Sequence, residues 1–151
     1  MSFEKLKCAL ATLAEQGIDA LLIVDTEHAV TGTDLEVTVL PENVTAAGRI
    51  LYQANYTLEA ITGIDWLTQG RIEIVYDYTC FVSGKRVTVR TFVGREQPQL
   101  PTLSGVYPGA DWHERETHDF FGVLFSGHPD LTPLLLPEDA DFHPLRKDFT
   151  G

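Results

Sequence analysis

Proline is spread so unevenly along this 151-residue chain that it divides the sequence into two textures. Of eight prolines only Pro41 precedes residue 96; Pro98, Pro101, Pro108, Pro129, Pro133, Pro137 and Pro144 follow it. Proline lacks the amide that helices and strands need, and it pushes the preceding residue out of the helical region. Regular α+β structure is therefore expected over 1–95. A connecting loop and one helix of the same domain are expected over 96–122, and an extended tail over 123–151. Charge follows the same division: residues 1–95 carry 12 acids and 8 bases, residues 96–151 carry 10 acids and 3 bases.

Periodicity fills in the first region. Phe3, Leu6, Leu10, Leu13 and Ala14 fall on one helical face, with Ser2 placed to cap the start and Gly17 to stop the helix. Ala20–Val24 is a short apolar run that suits a buried strand or its entry. Leu35, Val37 and Val39 alternate with Glu36 and Thr38, the pattern of a half-buried strand. Pro41-Glu42-Asn43 opens a second helix carrying Val44, Ala47, Leu51 and Ala54. Strand-like stretches follow over Thr57–Trp66, Arg71–Val82 and Arg86–Val93. The second of these sets Ile72, Ile74, Tyr76, Tyr78 and Cys80 on one face, and Val82-Ser83-Gly84-Lys85 reads as a hairpin turn. The expected fold is α+β, with helices packed on one face of a mostly antiparallel sheet. One further helix, capped by Asp111 in a capping box with Glu114 and ended by Gly122, then leads into the Pro-rich tail.

Composition excludes several functions. The net charge of −11 disfavours binding to nucleic acid or to anionic membranes, both of which require basic patches. Two distant cysteines, Cys8 and Cys80, are too few for a disulfide framework, a four-cysteine zinc site or an iron–sulfur cluster. No apolar run has the length of a membrane span, and the acidic N-terminal region carries no secretory h-region, so a non-secreted, non-spanning chain is expected. The tail holds Leu131, Leu134, Leu135 and Leu136 among its prolines and is too sparse to form a core of its own. It rests either on its own domain or on a partner.

Reactive motifs are mostly absent. There is no phosphate-binding glycine loop, nucleophile elbow or reactive cysteine motif. His113-Glu114-Arg115-Glu116-Thr117-His118 comes near a zinc-protease motif, but it holds one residue too many. On a helix the two imidazoles diverge by about 140°. Glu114 and His118 are correctly spaced for a shared metal, with His128 and His143 available from the tail, which leaves a stand-alone metal-dependent hydrolase as a remote alternative. A partly buried Glu114–His118 pair, with the other histidines bonding backbone groups, is the simpler reading. Arg115 and Asp119 are also four apart, and a stand-alone acidic adaptor is a third reading.

Two segments carry more specific information. Trp112-His113-Glu114-Arg115-Glu116-Thr117-His118-Asp119-Phe120-Phe121-Gly122-Val123-Leu124-Phe125, followed by Gly127-His128-Pro129-Asp130-Leu131, is the first. His143-Pro144-Leu145-Arg146-Lys147-Asp148-Phe149 is the second. Together, in order and with compatible spacing, they resemble the 30 kDa subunit of respiratory complex I (NADH–quinone oxidoreductase). The same family includes the small subunit of energy-converting nickel–iron hydrogenases and formate hydrogenlyases. His118 departs from a common tyrosine, and Thr132-Pro133-Leu134 replaces an arginine-rich stretch, so the hydrogenase branch stays open as the alternative.

The resemblance implies a non-catalytic subunit of the peripheral arm, on the cytoplasmic side of the membrane and touching the membrane only through its complex. It implies packing on the large hydrogenase-like subunit of the 49 kDa type, on which the extended tail 123–151 docks, and on neighbouring iron–sulfur subunits. It implies no cofactor or metal on this chain; iron–sulfur clusters, flavin and quinone or a nickel–iron site belong to other subunits. Residues implied to serve assembly are Glu114, Arg115, Glu116, Asp119, Gly122, His128, Pro129, Asp130, Leu131, His143, Pro144, Leu145, Arg146, Lys147 and Asp148.

Overall fold

Ser2 does cap the first helix: its hydroxyl accepts the Lys5 amide at 3.4 Å and its carbonyl the Leu6 amide at 3.0 Å. The computed structural model describes residues 1–14 and 23–151. Helix α1 spans Phe3–Ala14 and buries Leu6 and Leu10. The expected stop at Gly17 and residues 20–22 of the apolar run lie outside the described residues. Ile23 and Val24 begin β1 (Ile23–Asp25), which is half-buried at the sheet edge. A one-turn helix α2 (His28–Thr31) leads to β2 (Leu35–Thr38), where Leu35 and Val37 point inward as the alternation requires. Pro41–Asn43 forms a single 3₁₀ turn that feeds α3 (Val44–Gln53), with Val44, Ala47 and Leu51 buried. Proline at this position costs nothing, because the first helical amides have no partner to lose.

The three long strands are β3 (Thr57–Trp66), β4 (Arg71–Cys80) and β5 (Lys85–Gly94). They form an antiparallel meander, and β2 lies parallel to β5, giving the sheet order β1-β2-β5-β4-β3. That parallel pairing is not visible in local pattern. It follows from returning across the sheet through α3 and the meander. Val37, Val89, Tyr76 and Ile61 sit opposite one another in register and line the core face beneath the helices. The turn between β4 and β5 starts one residue earlier than the sequence suggests. It runs through Phe81–Gly84, with Gly84 left-handed at φ 68°.

The opposite face of the sheet carries polar side chains that cover one another. The Arg90 guanidinium donates to Glu73 at 2.8 Å and to Glu36 at 3.2 and 3.3 Å, while the Trp66 indole donates to Glu73 at 2.8 Å. Glu73 and Val75, on the face opposite Ile72, Ile74 and Tyr76, are buried as well.

Past Arg95 the chain is more regular than its prolines suggest. A short strand β6 (Gln99–Pro101) pairs in parallel with β7 (Leu124–Ser126), enclosing helix α4 (Ala110–Phe121). α4 packs across β3 on the core side, where a Cβ on Gly63 would lie 2.5 Å from the Phe121 ring. Val123 and Phe125 are buried in the common core. The domain therefore continues past residue 122, and segments without helix or strand begin after Ser126.

Candidate functional site

Helix α4 starts without the expected capping box. Its cap is Gly109, with no side-chain bond; the Ala110 amide reaches the Tyr107 carbonyl at 2.9 Å. Asp111 lies inside the helix, and Glu114 turns away from the helix start and into the protein. Its carboxyl accepts the Leu103 amide at 2.6 Å and bonds the Thr102 hydroxyl. The loop at 102–103 outcompetes the cap because a fully buried carboxyl must be bonded or lose its solvation energy. Burial pushes the Glu114 carboxyl above the ordinary carboxylate range, and the bonds from Thr102 and Leu103 offset only part of this. The enclosed His128 ring stands 3.8 Å from Glu114 and 3.2 Å from the Asp111 carbonyl.

The expected Glu114–His118 pair is not made. His118 Nδ1 lies 2.9 Å from the Val123 carbonyl, on the far side of α4's last turn. Arg115 and Asp119 do not pair either, since each holds the returning tail. Arg115 donates to the carbonyls of Thr132 and Pro133 at 2.9 and 3.0 Å, with its guanidinium near the Trp112 ring. One oxygen of Asp119, Oδ2, accepts the consecutive amides of Leu134, Leu135 and Leu136 at 2.9, 2.7 and 3.1 Å. Burial would raise the Asp119 carboxyl; the three amides outweigh it and hold the group below its ordinary value.

Gly122 ends α4 in the left-handed conformation, φ 74°, and its amide reaches the His118 carbonyl at 2.8 Å. A side chain there would strike the His143 ring 2.5 Å away. His143 lies 2.9 Å from the Asp119 carbonyl, the Leu145 amide donates to the Phe120 carbonyl at 3.2 Å, and Arg146 Nε donates to the Phe121 carbonyl at 2.8 Å. The second motif thus satisfies carbonyls that the helix end leaves open. Asp130 accepts the Thr132 amide at 3.3 Å and gives its own amide to His128 at 3.1 Å, while Leu131 packs on the core.

Two residues outside the motifs complete the arrangement. Asp65 occupies an inward position of β3 and is fully enclosed; Arg95 holds it in a fork at 2.9 and 3.2 Å. Asp65 also accepts the Lys147 amide at 2.7 Å, and Arg95 pairs with Asp148. Burial disfavours ionised Asp65, yet Arg95 and the Lys147 amide keep its carboxyl below the ordinary range. An acid at an inward position of a strand's alternation is the available sequence signal for this clasp.

Once these bonds are made, Trp112, Leu135, Phe142, Leu145 and Phe149 remain exposed, and the Phe142 and Phe149 rings stack at 5.5 Å. Glu116, Lys147 and Leu145 point no side chain into an intramolecular polar bond among the described residues, and Pro129 is exposed. Among the described residues no three His, Cys, Asp or Glu side chains converge as metal ligands. No described helix is long and apolar enough to cross a membrane. The arrangement leaves large apolar side chains exposed among the acids Asp130, Glu138, Asp139 and Asp141.

Residues 37–151 match the family described as respiratory-chain NADH dehydrogenase, 30 Kd subunit. A NADH-quinone oxidoreductase subunit of Roseiflexus sp. (strain RS-1) is 42% identical over 121 residues, covering 76% of this chain and 69% of that protein. The corresponding NADH-quinone oxidoreductase subunit of Jannaschia sp. (strain CCS1) is 47% identical over 94 residues, or 62% of this chain and 45% of that protein. The chain thus spans from under half to about two thirds of the length of these curated relatives. Among solved structures, a chain of the membrane-bound sulfane sulfur reductase, an archaeal respiratory membrane complex, superposes with TM-score 0.75. It is 28% identical, and the match covers 97% of this chain and 86% of that one. The trypsin-resistant fragment of Nqo5 superposes with TM-score 0.66 at 30% identity, over 84% of this chain and 99% of the fragment. With its signature helix and tail motif placed on one surface and the match covering most of its length, the chain belongs to the 30 kDa subunit family of the respiratory-chain NADH dehydrogenase.

Proposed function

We propose that this chain is a non-catalytic assembly subunit of the peripheral arm of a complex I-like membrane oxidoreductase. It packs on the large hydrogenase-like subunit of the 49 kDa type, on the cytoplasmic side, next to iron–sulfur subunits. Flavin, clusters and quinone, or a nickel–iron site in the hydrogenase alternative, are carried by those neighbours. One observation carries the reading. Arg115, Asp119, His143 and Arg146 spend their polar groups fixing the tail onto α4, and Leu135, Leu145, Phe142, Phe149 and Trp112 stay exposed around it. Large apolar side chains left exposed on a segment tied down by its own hydrogen bonds are what a permanent interface between protein chains buries. The name NADH-quinone oxidoreductase, carried by the Roseiflexus relative at 42% identity, supports the quinone-reductase branch over the hydrogenase one.

The test is a double variant, Leu135→Asp with Leu145→Asp, co-expressed with the large subunit. Both side chains are more than half exposed, so the melting temperature should stay near wild type. With only the exposed half or so of each side chain left to bury, each leucine would contribute about 0.8–1.8 kcal/mol, so co-purification should fall by at least about tenfold. A variant that still co-purifies at the wild-type ratio would overturn the assignment of this surface.

A further inference from the structure

Strand β3 forms one edge of the sheet, and it is an unusually open one. It is ten residues long, while β1 at the opposite edge has three. On its outer side no described residue bonds its backbone, from Thr57 to Trp66. Proteins close such edges with proline, outward lysines, bulges or a covering segment. Here a bulge between Leu58 and Ala60 disrupts one end, and near the other the tail is tied to the inward Asp65 side chain, not to the outer backbone. Between them Ala60–Ile64 carries no proline and no charge, and it presents unpaired amides and carbonyls.

A cleft of about 200 Å³ runs beside this stretch, lined by Ile61, Gly63, Phe120, Glu116 and Leu145. Glu116 and Leu145 are members of the two motifs whose side chains the internal bonds leave unused: Glu116 is exposed with no ion pair among the described residues, and Leu145 is half exposed. Two motif side chains without an internal polar bond, one from α4 and one from the tail, thus meet beside a stretch of edge strand whose outward hydrogen bonds are unfilled among the described residues.

Resting on the assembly role above, we infer that Ala60–Ile64 accepts an extended segment of a neighbouring protein chain as an added strand. Alternate side chains of that segment enter the cleft over Ile61, Gly63 and Leu145, and a lysine or arginine of the segment meets Glu116. Strand addition supplies affinity through main-chain bonds and selectivity through every second side chain. Charge selects the occupant. A second copy of this chain would bring another net −11 and its own Glu116 to the junction, whereas a basic segment is drawn to it.

The test is residue-resolved hydrogen exchange on the full chain, free and in complex with the co-expressed large subunit. The outward amides of Ala60–Ile64 should exchange rapidly in the free chain and slow by at least about a hundredfold in the complex. Glu116→Lys should weaken the complex on the order of tenfold and leave the melting temperature unchanged. A complex that forms with these amides still exchanging rapidly would overturn the added strand while leaving the assembly role intact. Failure of any complex to form would overturn the assembly role, and the added strand with it. Protection of Ala60–Ile64 that rises with concentration of the chain alone would identify a second copy as the occupant and refute the basic segment.

Discussion

Replacing Asp119 by alanine removes one oxygen that holds three consecutive tail amides, those of Leu134, Leu135 and Leu136. A hydrogen bond to an ionised group contributes about 1.5–3 kcal/mol net. Three donors on one oxygen cannot all align, so the sum is about 3–5 kcal/mol rather than three full bonds. The tail can peel away without unfolding the sheet, which caps the loss seen in global melting. The sharper assay is hydrogen exchange at Leu134–Leu136, where Asp119→Ala should speed exchange by at least about a hundredfold, each 1.4 kcal/mol being tenfold. Asp119→Asn keeps the shape and a neutral acceptor and should lose roughly half as much free energy. The pH dependence follows from the lowered carboxyl of the folded state. Anchoring is complete above the unfolded value of ~3.9 and disappears as pH falls through the lower folded value. Unchanged exchange at these amides in Asp119→Ala would refute the claim that this carboxylate fixes the tail.

Three further substitutions probe the frame. Gly63→Ala places a methyl group 2.5 Å from the Phe121 ring, and forcing α4 off β3 should cost about 1–3 kcal/mol in a denaturant titration. Phe125→Ala should cost about 3–5 kcal/mol, and a chain cut after Gly122 should lose its cooperative melt, because Val123 and Phe125 belong to the core. Glu114→Gln should flatten the pH dependence of stability. The raised carboxyl makes the folded state bind its proton more tightly than the unfolded chain, so wild-type stability falls as pH rises above the ordinary carboxylate range. Melts of both proteins across that range read the difference directly.

Local patterns in the sequence are enough to locate most elements. The alternation at Leu35 and Val37, and at Ile72 through Cys80, reports a buried face because side chains in a strand alternate strictly. It cannot report that Glu73 and Val75 are covered as well, since the Glu73 cover comes from Arg90 and Trp66 on the two neighbouring strands, β5 and β3. The β6–β7 pair leaves no periodic signal because each strand has only three residues, and β6 follows Pro98 and ends on Pro101. Glu114 sits at the spacing of a capping box, but Thr102 and Leu103, which claim it, lie in a loop whose position depends on the fold. The motif residues are legible as a set, yet most of their bonds run between α4 and the tail. The Asp65–Arg95–Lys147–Asp148 clasp ties Asp65 to an amide 82 residues further on and has no local signature beyond an inward acid.

On the proposal that this chain contributes a surface to a larger oxidoreductase and holds no redox group of its own, two measurable properties are expected. Native mass spectrometry of the chain co-expressed with the large hydrogenase-like subunit reads both at once. A one-to-one complex is expected, with the mass of this chain equal to its polypeptide alone after release. A chain that stays unbound in the presence of that large partner, or one that carries stoichiometric metal or cofactor mass, would contradict the assignment.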